Sequence, residues 1–124
     1  MPRVKRIAAP LLSESWRTIP HVTHHDEADV TELENFRKNL KDGYTGEQKK
    51  ITPLAFIIKA LVKSMMKYPI FNSSIKDEEN YQIILKKYFH IGIAVDTPHG
   101  LMVPKLRVAD KFNLSVLSLG FFVV

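Results

Sequence analysis

Residues 52–67 read TPLAFIIKALVKSMMK, and this stretch sets the terms for the rest of the chain. Thr52 is a residue type that caps helices, and Pro53 fits the first helical position, where a missing N–H removes no hydrogen bond. Leu54, Ile57, Ile58, Leu61, Val62 and Met65 recur at the three- and four-residue steps of one buried face. Lys59, Lys63 and Lys67 fall opposite them as a wet face, and Tyr68-Pro69 ends the helix. Such a helix must rest on something apolar. Residues 81–96, YQIILKKYFHIGIAVD, are expected to supply it. Tyr81, Ile83, Leu85, Phe89, Ile91, Ile93 and Val95 all fall on odd positions, the period of a strand. Lys87 breaks that pattern, so a bulge or two shorter strands are expected. Residues 97–100, TPHG, read as a turn, with Leu101 to Pro104 returning as a partner strand. Helices mixed with a largely antiparallel sheet make the expected class α+β.

The elements before residue 52 are less regular. Leu11 to Ile19 reads as a short helix, with Ser13 a candidate cap, Leu12, Trp16 and Ile19 on one side, and Pro20 at its end. His21 to His25 reads as extended, because Val22 and Thr23 favour strands and no helical stripe is present. A second helix follows, capped by Asp29 or Thr31 with Glu32 or Glu34 closing a capping box. Leu33, Phe36, Arg37 and Leu40 share one broad side of it. Lys41 to Lys50, with Gly43, Gly46 and several charges, reads as a surface loop. The apolar stretch from Asn113 to Val124 is expected either to be buried in the sheet or to mark an incomplete chain.

Composition narrows the function classes. The 124 residues are 45% hydrophobic and 25% charged, which fits one packed domain rather than a disordered segment. A net charge of +5 favours an anionic partner such as a phosphorylated cofactor. The basic residues are scattered, with Lys49-Lys50 and Lys86-Lys87 the short runs, so no nucleic-acid partner is expected. With no cysteine there is no disulfide, thiolate metal site or cysteine nucleophile. No apolar run approaches the roughly 20 residues that span a bilayer, so no membrane partner is expected and the cytoplasm is the default compartment.

Few residues announce chemistry on their own. Of the five histidines, His21 and His25 share a strand face but lie about 13 Å apart at the standard rise. Zinc ligands sit near 2 Å from the ion, so no metal site is expected. Asp96 stands where a strand meets a turn, a position that suits either ligand contact or capping of the turn's own N–H groups. Thr52 reads equally as a helix cap, and Arg37 as a surface cation.

Several phrases, taken together, resemble a known family. These are IPHVT at 19–23, DEADVTEL at 26–33, KITPLAF at 50–56, PIFNSS at 69–74 and IGIAVDTPHGLMVP at 91–104. They are similar, in order and over about residues 6–115, to the catalytic domain of the dihydrolipoamide acyltransferases of 2-oxoacid dehydrogenase complexes. The acetyltransferase type of pyruvate dehydrogenase is the most similar; the succinyl and branched-chain types remain open.

The resemblance implies a fold like chloramphenicol acetyltransferase, a mixed sheet flanked by helices, assembled as homotrimers or larger cores. It implies acyl transfer between dihydrolipoamide and coenzyme A, with a histidine as general base and a hydroxyl steadying the oxyanion. By position it assigns Arg37, Thr52 and Asp96 to coenzyme A contacts, and it gives His21 a structural role. Coenzyme A is then a substrate, the lipoyl group comes from a separate domain, and the E1 and E3 subunits are partners through domains outside residues 1–124. The family's His-Arg-x-x-Asp-Gly motif does not occur, since no histidine follows His99. The expectation is therefore a truncated, inactive front half of the domain, diverging over 118–124, with no catalytic residue of its own. The other reading is a non-catalytic coenzyme A-binding or assembly module. Uncovered apolar faces, with aggregation or oligomers, are expected to follow.

Overall fold

The structure, a computed structural model, describes residues 3–77, 79–98 and 100–119. The chain divides into two compact units, Met1–Asp29 with Ile93–Pro104, and Val30–Gly92 with Lys105–Val124.

The first unit is built on helix α1, Arg3–Thr18. It starts eight residues earlier than the sequence suggests and carries Pro10 in its interior. Pro10 removes one hydrogen bond, but the neighbouring Ala8 and Ala9 are strong helix formers. Thr18 Oγ1 donates to the Glu14 carbonyl at the last turn. Beyond it, residues 20–30 have no regular structure, so the expected strand at His21 to His25 is not formed. β-propensity alone does not hold a strand whose backbone groups find no partner strand. His21 instead lies against Trp16, ring centroids 4.9 Å apart.

Strands β4 (Val95–Thr97) and β5 (Gly100–Met102) pair antiparallel as read, Thr97 opposite Gly100; residue 99 of the expected turn lies outside the described residues. Gly100 has φ +121, a conformation open to glycine, and a Cβ there would touch the Val4 side chain of α1 at 3.6 Å.

In the second unit, helix α2 is Thr31–Asn39. Its cap position falls on Val30, which has no side-chain acceptor, so Thr31 is the first helical residue instead of the cap. Glu34 turns to Arg37 rather than closing a capping box. The expected loop at Lys41 to Lys50 is a tight hairpin closed by a Lys41–Gln48 bridge.

Helix α3 (Pro53–Lys67) begins and ends where expected, but only part of its stripe is covered. Ala55, Ile58 and Val62 are buried, while Leu54, Ile57 and Leu61 remain exposed, Ile57 at 60%. Lys59, assigned to the wet face, is half-buried and donates to the Asp110 carbonyl at 3.2 Å.

The partner of α3 is helix α4 (Leu114–Leu119), not the strand region at 81–96. Asn113 caps α4, its Oδ1 accepting the Val116 N–H at 2.9 Å. Leu117 and Ala109, with Ile51, complete the core around Ile58. The described part of the apolar C-terminal stretch is thus a helix packed on a helix, not a strand in the sheet; residues 120–124 lie outside the described residues.

The expected long strand is divided into β2 (Gln82–Leu85), β3 (Ile91–Gly92) and β4. β1 (Ser73–Asp77) pairs antiparallel with β2, and β3 with β6 (Lys105–Leu106). The break at Lys86 to His90 has a local cause. Asn72 Nδ2 donates to both the Lys86 and Tyr88 carbonyls at 3.0 Å, and its carbonyl accepts the Lys86 N–H. The α+β class holds, with three two-stranded antiparallel ladders among the described residues in place of one mixed sheet.

After β6 the backbone at Val108 has φ +47, a left-handed conformation that is strained for a β-branched residue. Hydrogen bonds hold it there: Val108 N–H to His90 Nδ1 at 3.0 Å and Ala109 N–H to the Phe89 carbonyl at 2.8 Å. Val108→Asn is expected to raise stability by about 1 kcal/mol, because asparagine tolerates this region far better. A urea midpoint that stays the same or falls would count against the strain.

Candidate functional site

The entry to α3 is where side chains from separate parts of the second unit converge. Phe36 of α2 meets Phe56 of α3 edge-on, centroids 6.3 Å apart, and this contact brings the end of α2 beside the start of α3. Arg37, the next residue, then reaches the segment leading into α3. Its Nη1 donates to the Ile51 carbonyl at 3.1 Å, while Nε and Nη2 grip the Glu34 carboxylate at 3.0 and 2.7 Å. The guanidinium holds the Glu34 carboxyl below its usual range, and the same pairing raises Arg37 above its own. Three of the five guanidinium N–H groups are engaged in this way, which leaves two for another acceptor.

Beside Arg37 lies a cavity of about 570 Å³. Lys38 of α2, Gln48, Lys49 and Lys50 of the connecting segment, Ile51 to Pro53 and Ser118 of α4 complete its wall. Four of these nine residues are cationic and none is acidic. The N-terminus of α3 adds the positive end of its dipole. A volume of this order suits part of a small-molecule ligand, and a cationic wall at a helix N-terminus suits a phosphate or another anion.

The wall is held from several sides. Gln48 Nε2 donates to the Lys38 carbonyl at 2.6 Å, and Lys49 Nζ pairs with Asp42 Oδ2 at 2.9 Å. Asp42 Oδ1 also accepts the N–H groups of Tyr44 and Thr45. The Lys49 ammonium first, and these backbone donors after it, pull the Asp42 carboxyl down from 3.8 to about 2. Because the folded value is the lower one, this contribution to the hairpin is present above pH 3.8 and is lost as pH falls toward 2. The Tyr44 and Thr45 amide resonances are expected to titrate together in that window. In Asp42→Asn they should not.

Thr52 stands at the cap position of α3, but its side chain makes no capping bond and Oγ1 is buried without a partner among the described residues. Its backbone N–H donates to Ser118 Oγ at 3.0 Å. Of the three residues singled out in the sequence, Arg37 and Thr52 therefore line one cavity. Asp96 belongs to the first unit, where it lies exposed in β4 opposite Leu101. Sequence reasoning missed Lys38, Gln48 and Ser118. Lys38 adjoins Arg37 on one helix, a signal that could have found it, whereas nothing in the sequence marks Ser118.

Comparison with known proteins settles the kinship. Residues 1–120 match the family described as 2-oxoacid dehydrogenases acyltransferase (catalytic domain). The chain belongs to this acyltransferase family. It is 50% identical over 116 residues to the dihydrolipoyllysine-residue acetyltransferase component of the pyruvate dehydrogenase complex from Cupriavidus necator, covering 94% of this chain and 20% of that protein. The corresponding component from Haemophilus influenzae is 48% identical over 119 residues, covering 94% and 21%. The chain thus spans about a fifth of the length of these curated relatives.

Solved members of the family share its fold. The dihydrolipoamide acetyltransferase of Azotobacter vinelandii superposes with a TM-score of 0.87 at 41% identity, covering 98% of this chain and 50% of that one. The cubic core of a pyruvate dehydrogenase multienzyme complex gives 0.86 at 42%, covering 97% and 49%.

Proposed function

We propose that the chain forms the coenzyme A side of an acetyltransferase catalytic domain that moves an acetyl group between dihydrolipoamide and coenzyme A. The observation that carries this reading is the cavity at the start of α3, walled by Arg37, Lys38, Lys49 and Lys50 with no carboxylate in its lining. Such a wall favours the phosphates of coenzyme A, and membership of an acyltransferase family supports acyl transfer as the reaction. Arg37 offers its two remaining N–H groups at this cavity and Thr52 stands at the helix entry; Asp96, in the first unit, is proposed as a coenzyme A contact from the family resemblance alone.

The lipoyl group would come from a separate domain. Assembly into a homotrimer or larger core, with E1 and E3 as further partners, completes the proposal; its support is the relative that forms a cubic core. Calorimetric titration with coenzyme A tests the site. The expected result is saturable binding that weakens in Arg37→Ala and Asp96→Ala; no detectable binding by the wild-type chain would overturn the proposal.

A second reading, favoured by the cationic cavity taken by itself, is a coenzyme A-binding or assembly module. Acetyl transfer by the purified chain would decide against the second reading.

A further inference from the structure

Ser118 is 2% exposed, a buried polar residue on a helix that is otherwise packed through Leu117. Its hydroxyl does two things at once. Oγ accepts the Thr52 N–H at 3.0 Å and donates to the Lys50 carbonyl at 3.3 Å. Both groups belong to the irregular segment that leads into α3, where no helix or strand supplies them with partners. Between them, the Ile51 side chain is buried at 3% exposure and its carbonyl accepts Arg37 Nη1. Three consecutive residues thus have backbone groups fixed by two side chains, one from α2 and one from α4. This is a side-chain substitute for secondary structure, because the chain meets the backbone's hydrogen-bonding demand from 66 and 68 residues away.

We infer that Ser118 is a positioning residue for coenzyme A. The inference rests on the proposed function of the cavity and deepens it. Ser118 is a buried part of the cavity wall, and its hydroxyl sets the backbone path of Lys50 to Thr52. That path decides where the Lys50 ammonium and the first turn of α3 face the cavity. A cationic site built on an unpaired segment loses affinity when the segment can move, because the ligand must then order it on binding.

The test is calorimetric titration of the chain with coenzyme A, joined to hydrogen exchange of the ligand-free chain. Ser118→Ala is expected to bind roughly five- to tenfold more weakly, the scale of one or two lost hydrogen bonds. Its exchange should accelerate at residues 50–55, while the distal half of α3 keeps its protection. Ser118→Thr retains the hydroxyl and should recover most of the affinity. If Ser118→Ala does not fold, Ser118→Cys, with similar volume and weaker hydrogen bonds, takes its place.

Equal affinity of wild type and the hydroxyl-free variant would overturn the inference while leaving the proposed function standing. Weakened binding with accelerated exchange along all of α3 would overturn it too, since Ser118 would then support the fold at large. No binding by the wild type would overturn both.

Discussion

Leu117→Ala is expected to cost about 2–5 kcal/mol, a large share of the roughly 5–15 kcal/mol that holds a domain together. The expectation follows from how little core the described residues share. The buried hydrophobic residues are Ile51, Ala55, Ile58, Val62, Ala109 and Leu117, and two of these are alanines. Ile58 and Leu117 are the largest of the fully buried side chains, and they belong to the two helices that pack on each other. Removing the Leu117 isobutyl group leaves a cavity at the place where α4 is attached. Val116, the preceding residue, is 43% exposed, so Val116→Ala should change stability by no more than about 0.5 kcal/mol. Urea denaturation followed by circular dichroism compares the pair. If both variants unfold at the same concentration, α4 does not anchor the core.

Arg37→Ala should weaken coenzyme A binding at least about tenfold, the range of a lost charge-assisted bond together with the positioning it provides. The side chain ties Glu34 to the Ile51 carbonyl while leaving two donors for the ligand. Arg37→Lys restores the charge but not the planar fork, so it should recover only a minor part of the affinity. The pH dependence has a definite sign. Glu34 is held below its usual 4.5, so the fork is intact above that value and weakens as pH falls through the depressed range. Arg37, raised further, stays charged throughout. Affinity should therefore decline in acid by way of Glu34, and Glu34→Gln should remove that dependence. Full recovery by lysine would show that charge alone is needed.

The features legible in the sequence are largely local. Pro53 and Tyr68-Pro69 bound α3, because the proline ring acts within one turn of chain. The TPHG turn predicts the β4–β5 hairpin for the same reason. The break near Lys87 is visible as a flaw in the odd-numbered pattern, but its cause, Asn72 bonding across to Lys86 and Tyr88, is not. His21 to His25 misleads, since a preference for extended backbone does not become a strand without a neighbour.

The candidate site divides the same way. Arg37 and Thr52 stand out in the sequence, and family kinship follows from motifs that survive as contiguous phrases. By itself the sequence determined the α+β class, the limits of α3, the cationic bias and the acyltransferase family. Only the tertiary structure decided that α3 rests on α4 and buries just Ile58 and Val62 of its stripe. It alone joined Arg37 to Ile51 and placed the Ser118 hydroxyl between Lys50 and Thr52. Periodicity shows that a face must be covered, but not by what. The covering contacts here join residues some fifty to seventy positions apart, and no local pattern encodes such a partner.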